Sequence, residues 1–128
     1  MIQTLHNAGG DRSKILIIYT GGTIGMRPDE KTGALVPFDF NHIYEEFPSL
    51  RELDVDIEIL PFEPIDSSNA SPELWVRLAE IIARYYDSFD GFVVLHGTDT
   101  MSYTASALSF MLENLAKPVV STGSQIPM

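Results

Sequence analysis

Ile15-Leu16-Ile17-Ile18-Tyr19, followed at once by Thr20-Gly21-Gly22-Thr23-Ile24-Gly25, is the stretch that decides the fold. Its first half is apolar without alternation and rich in β-branched residues, the pattern of a strand covered on both faces. Its second half is a glycine turn. The pattern recurs at Gly91-Phe92-Val93-Val94-Leu95, which runs into His96-Gly97-Thr98-Asp99-Thr100. It recurs again where Val119 and Val120 lead into Thr122-Gly123-Ser124-Gln125. Helical stretches separate these strands. Ser71 is a natural N-cap, Pro72 suits the first helical position, and Leu74, Trp75, Leu78, Ile81, Ile82 and Tyr85 share one face. Met101, Ala105, Leu108, Leu112 and Leu115 form a second helical stripe, predicting a helix over 101–115. Strand and helix alternating in this way predict an α/β fold: a mostly parallel sheet with helices on both faces, a Rossmann-like three-layer arrangement.

The remaining segments predict smaller features. Residues 27–33 are charged and carry Pro28 and Gly33, so a mobile loop is expected there. Asp39 can cap a short helix through Ile43, Phe47 and Leu50 that Pro48 must bend or end. Asp54-Val55-Asp56-Ile57-Glu58-Ile59 alternates strictly, which predicts a half-buried edge strand with a wet polar face. The 128 residues suit one domain. Residues 1–13 are expected to be a flexible extension and 14–128 a single α/β domain that breaks off after a strand and its turn, and so is incomplete.

A formal charge of -10, from 18 Asp+Glu against 8 Lys+Arg, repels phosphate backbones and anionic lipid, so neither nucleic acid nor membrane is an expected partner. No apolar run approaches the roughly 20 residues of a membrane helix. Cys 0 excludes disulfides, thiolate metal sites and cysteine nucleophiles, and fits a reducing compartment. With residues 1–12 polar and without an apolar h-region, these predict a soluble, unexported protein. His6, His42 and His96 show no metal-ligand spacing, so no metal is expected.

Ligands of an open parallel sheet bind beyond the carboxyl ends of its strands, where both Gly/Thr turns would lie. Gly22 and Gly97 remove side-chain bulk beside the hydroxyls of Thr23 and Thr98, and Asp99 adds a carboxylate. A hydroxyl needs a base or cation before it attacks a carbonyl, and helix N–H groups can receive an oxyanion, so the assembly suits acyl transfer. Plainer readings stand beside this one. Thr98, Asp99 and Thr100 are equally ordinary N-cap residues. Thr20 to Gly25 also reads as a plain βα turn or a degraded dinucleotide fingerprint, and His96 as a hydrogen-bonded structural histidine. Trp75 reads as core.

Thr20-Gly21-Gly22-Thr23-Ile24-Gly25 taken with His96-Gly97-Thr98-Asp99-Thr100-Met101 resembles the paired signatures of the bacterial L-asparaginases. The Ile-Ile-Tyr lead-in, Tyr103-Thr104-Ala105-Ser106-Ala107-Leu108 and Thr122-Gly123-Ser124-Gln125 are similar to the cytoplasmic type I branch. The resemblance runs from about Lys14 to Met128, and makes this an N-terminal portion of chains more than twice as long with a second, C-terminal domain. It implies amidohydrolase chemistry without a cofactor: L-asparagine is cleaved to L-aspartate and ammonia through an acyl-enzyme on a threonine. It further implies Thr23 as nucleophile and Thr98 and Asp99 as members of a second, lysine-containing triad. Ser67 and Ser68 would grip the substrate, with Gly22 and Gly97 lining its site, in a homo-oligomer, dimer or tetramer. The family's loop tyrosine has no counterpart in Thr32-Gly33-Ala34-Leu35-Val36-Pro37, and its triad lysine is expected beyond Met128. A non-catalytic amino-acid- or nucleotide-binding module, a glutaminase-like enzyme and an ammonia-feeding amidotransferase component are the alternatives.

Overall fold

The computed structural model describes residues 2–6, 11–62 and 70–127. Strands β1 (Gln3–His6), β2 (Ser13–Tyr19), β5 (Val55–Pro61), β6 (Gly91–Leu95) and β7 (Val119–Thr122) form one sheet in the order β1-β5-β2-β6-β7. β5, β2, β6 and β7 run parallel to their neighbours, and only β1 is antiparallel. A hairpin of β3 (Met26–Pro28) and β4 (Leu35–Pro37) stands apart. The helices are α1 (Ile43–Glu46), α2 (Pro72–Tyr85) and α3 (Met101–Met111). The expected α/β architecture is present, with a mostly parallel sheet covered on both faces.

Because side chains alternate along a strand, the apolar runs of β2 and β6 serve two cores at once. Leu16, Ile18, Phe92 and Val94 face α2 and α3, where they pack with Leu74, Leu78, Ile82 and Leu108. Tyr19 and Leu95 face the opposite way, onto Phe38, Phe40, Ile43 and Ile59. Full burial of a side chain such as Leu78 or Ile82 contributes roughly 1.5–3 kcal/mol. The start of β2 is held to the start of β6 by Asp90, whose carboxylate accepts from the Lys14 amide at 2.8 Å while its own amide donates to the Lys14 carbonyl at 2.7 Å.

The structure corrects or refines several expectations. β5 lies inside the sheet, because Gln3–His6, within the stretch expected to be a flexible extension, pairs antiparallel along its outer side. Asp56 is buried rather than wet, and Glu58 accepts from the Thr4 hydroxyl at 3.4 Å. The helix expected over 101–115 ends at Met111, and Asn114 turns the chain with a φ of 56° before β7. The loop expected over 27–33 is the closed end of the β3–β4 hairpin. Its turn is organised by Asp29, whose carboxylate accepts from the Lys31 amide at 3.0 Å, the Thr32 amide at 2.8 Å and the Thr32 hydroxyl at 2.9 Å. The segment after Asp39 becomes short 3-10 turns at Phe40–His42 and Pro48–Glu52 on either side of α1, and Asp39 caps the first by accepting from the Asn41 amide.

The hydrogen bonds to Asp29, led by the Thr32 amide, hold its carboxyl below the usual carboxylate range. A lowered folded value means that the turn's contribution is complete above the ordinary aspartate range and is lost as pH falls through the lowered value. An NMR acid titration should therefore move the Lys31 and Thr32 amide resonances with a midpoint below that of an unstructured aspartyl peptide. A midpoint at or above the peptide's would refute this account of the turn.

Candidate active site

The parallel ladder continues past the strands' carboxyl ends and draws their exit turns together. The Phe62 amide donates to the Tyr19 carbonyl at 2.8 Å, the Thr20 amide to the Leu95 carbonyl at 3.0 Å, and the His96 amide to the Thr122 carbonyl at 2.9 Å. Thr20, almost fully buried, also donates its hydroxyl to the Leu95 carbonyl at 2.9 Å. The plain reading of Thr20 as a turn residue thus acquires a reason: its amide and hydroxyl together tie the exits of β2 and β6.

Beyond that tie the two glycine turns touch through their backbones. A Cβ at Gly22 would stand 2.6 Å from the Gly97 Cα and 2.7 Å from the Gly97 nitrogen, and Gly22 has a φ of 93°, a region that L side chains avoid. Gly123, in the turn after β7, approaches just as closely, since a Cβ there would overlap the His96 carbonyl oxygen and lie 3.4 Å from the Thr98 methyl. Thr23 follows Gly22 in a 3-10 turn, Thr23–Gly25, closed by the Gly25 amide donating to the Gly22 carbonyl at 3.1 Å. Tyr19 supports this turn from below. Its hydroxyl donates to the same Gly22 carbonyl at 3.3 Å, and its ring occupies the space a Cβ at Gly25 would need. Burial pushes the Tyr19 phenol up, which keeps it a donor.

His96 is buried within a hydrogen-bonded chain, in agreement with its structural reading. Its Nδ1 lies 2.7 Å from the Gly97 carbonyl oxygen and its Nε2 2.8 Å from the Thr104 hydroxyl, which also receives the Trp75 indole N–H at 3.0 Å. Trp75, read from the sequence as core, is half-buried and spends its one polar group here. Thr104 is the member of this chain that sequence reasoning misses. The signal for it is a polar side chain three positions after Met101, within the buried stripe of α3.

The structure brings the turns of Gly22 and Thr23 and of Gly97, Thr98 and Asp99 to one rim. Thr23 and Thr98 are half-buried there and Asp99 is exposed. Thr100 takes the N-cap position of α3 without a side-chain capping bond. A hydroxyl beside a helix N-terminus and a neighbouring carboxylate can support nucleophilic attack on a carbonyl and hold a substrate cation. Ser67 and Ser68 lie outside the described residues. Cavities of about 300 Å³ between α3 and β7 and about 240 Å³ beside α1 contain none of these side chains. No group of three or more His, Asp and Glu among the described residues could hold a metal ion, and no helix among them is long and apolar enough to cross a membrane.

A family model described as asparaginase, N-terminal, matches residues 14–128. The chain belongs to the asparaginase family. It is 49% identical over 122 residues to L-asparaginase 1 of Escherichia coli K12, an alignment covering 91% of this chain and 35% of that protein. It is 46% identical over 124 residues to a component of the glutamyl-tRNA(Gln) amidotransferase of Saccharolobus solfataricus, covering 94% of this chain and 27% of that one. The crystal structure of L-asparaginase I from Vibrio cholerae superposes with a TM-score of 0.79 at 46% identity, covering 91% of this chain and 35% of that chain. The chain thus spans about a third or less of the length of these relatives. As an asparaginase-family chain it should depend on the glycine contact at its rim. Gly22→Ala is expected to lose about 3 kcal/mol of stability, from the disfavoured φ and the collision with Gly97 together. Gly33→Ala, at a φ of 69° but in open space, should lose only the backbone share, about 1 kcal/mol. Equal losses in denaturant melts would remove the collision as the reason for Gly22.

Proposed function

We propose that this chain supplies the nucleophile and the threonine–aspartate pair of an L-asparagine amidohydrolase. The observation that carries the reading is the backbone contact of Gly22 with Gly97, which leaves Thr23 and the Thr98–Asp99 pair as neighbours on one rim. In this reading the Thr23 hydroxyl oxygen adds to the side-chain amide carbon of asparagine. Its proton passes toward Thr98 and the lysine that the family resemblance implies, a lysine with no match in this chain. Collapse of the tetrahedral adduct expels ammonia, which leaves carrying a proton, and an aspartyl ester remains on Thr23. Water then splits the ester and releases aspartate. Asp99 accepts from the substrate ammonium, and the hydroxyls of Ser67 and Ser68 donate to its α-carboxylate. Gly22 and Gly97 keep the floor of the site free of side chains so that the amide can approach the backbone.

The finer expectations belong to the same proposal: L-asparagine as the substrate, a homodimer or homotetramer as the working form, and the cytoplasm as its place. Zero cysteines support a reducing compartment. Exposed Phe110, Val120 and Ile126 on and near α3 and β7 support association with further protein surface. A second reading, an amidotransferase component releasing ammonia for another protein, is favoured by the 46% identity to the Saccharolobus protein.

The full-length protein should release ammonia from asparagine faster than from glutamine. Thr23→Ala should lower kcat by about 1000-fold or more while the melting temperature stays within about 3 °C, because the hydroxyl is used in the reaction and not in the core. Normal turnover by folded Thr23→Ala would remove that residue from the nucleophile role. A preference for glutamine would favour the amidotransferase reading.

A further inference from the structure

The chain of hydrogen bonds behind the rim has a direction. Trp75 Nε1–H can only donate, so it donates to the Thr104 oxygen at 3.0 Å. The Gly97 carbonyl can only accept, so the proton of the 2.7 Å contact sits on His96 Nδ1. With Nδ1 protonated, Nε2 is free to accept, and the Thr104 hydroxyl donates to it at 2.8 Å. The side-chain polar groups of Trp75, Thr104 and His96 and the Gly97 carbonyl then each have a partner, with His96 and Thr104 almost fully buried. A buried polar series in which each member has its partner holds its geometry firmly, and one missing member leaves the others unsatisfied.

The series ends on a carbonyl with a particular neighbour. The Gly97 carbonyl carbon is bonded to the Thr98 nitrogen, so fixing the carbonyl fixes the plane of the Gly97–Thr98 peptide. Glycine would otherwise allow that plane wide freedom. The same Gly97 backbone is the surface against which Gly22 rests, one residue before Thr23. Trp75 and Thr104 come from different helices, so the series also ties α2 and α3 to the exit of β6.

We propose that Thr104 and Trp75 are positioning residues that act through His96 to aim the Thr98 hydroxyl. This rests on the amidohydrolase reading above. The residues do not touch substrate; they set the peptide plane from which the proton-handling hydroxyl projects. Their loss therefore falls on turnover more than on substrate capture, since a small misplacement of a reacting group lowers rate by about 100-fold.

The test uses the full-length protein with asparagine as substrate. Thr104→Val keeps the shape and removes the hydroxyl; it should lower kcat about 100-fold while KM changes less than about 3-fold. Thr104→Ser restores the hydroxyl and should recover kcat to within about 5-fold of the unsubstituted protein, a rescue that a packing role would not produce. The imidazole 15N spectrum should show the His96 proton on Nδ1. A folded Thr104→Val protein with unchanged kcat, a Thr104→Ser protein as impaired as Thr104→Val, or a proton on Nε2 would each overturn the proposal. If Thr104→Val does not fold, Trp75→Phe decides: a fall in kcat at steady KM supports the series, and unchanged kcat overturns it. The unsubstituted protein separates the two layers. Absence of asparagine hydrolysis in it overturns the amidohydrolase reading and the positioning role with it, whereas hydrolysis that persists through Thr104→Val overturns only the latter.

Discussion

The contact between the backbones of Gly22 and Gly97 is the constraint on which the rim of this sheet depends. At that separation there is no room for a Cβ on Gly22, so the first turn reaches the Gly97 backbone because it carries glycine where the two meet. The approach is set by the ladder beneath it. β2 and β6 pair in register from Ile15 opposite Gly91 to Tyr19 opposite Leu95, and the bonds from Thr20 to the Leu95 carbonyl carry the pairing one residue further. Gly123 repeats the device against His96 on the other side, so the turn of β6 is flanked by close backbone contacts on both sides.

The cores on the sheet's two faces support different parts of this rim. On one face, α2 and α3 pack over Leu16, Ile18, Phe92 and Val94, and their contact places Trp75 and Thr104 within hydrogen-bonding reach of each other and Thr104 within reach of His96. On the other face, Phe38 and Phe40 pack with Tyr19, whose ring and Phe40's lie 5.1 Å apart. Tyr19 in turn carries the 3-10 turn of Thr23. The turns of Thr23 and of Thr98 thus each rest on a buried polar or aromatic side chain that is itself held by the core, which fixes their places on the rim.

The sequence misled about edges. Asp54 to Ile59 alternates as an edge strand does, yet β5 is interior, because alternation reports only that one face is more polar and says nothing of what pairs along the strand's side. The pairing partner was Gln3–His6, too short and too polar to stand out as a strand by composition. The far end of the 101–115 stripe failed for a related reason. Leu112 and Leu115 keep helical spacing, but spacing does not see the left-handed turn at Asn114 that redirects the chain into β7.

By itself the sequence determined the α/β class, the strands β2 and β6, the helix from Pro72 and the two Gly/Thr turns. All of these are local: apolar runs, helical periodicity and glycine beside hydroxyl are written within a few residues of one another. The meeting of Gly22 with Gly97, the burial of Asp56 and the series from Trp75 through Thr104 to His96 were decided by tertiary structure. Each joins residues distant in the chain, and whether two such groups touch depends on strand order and register, which short-range pattern does not encode.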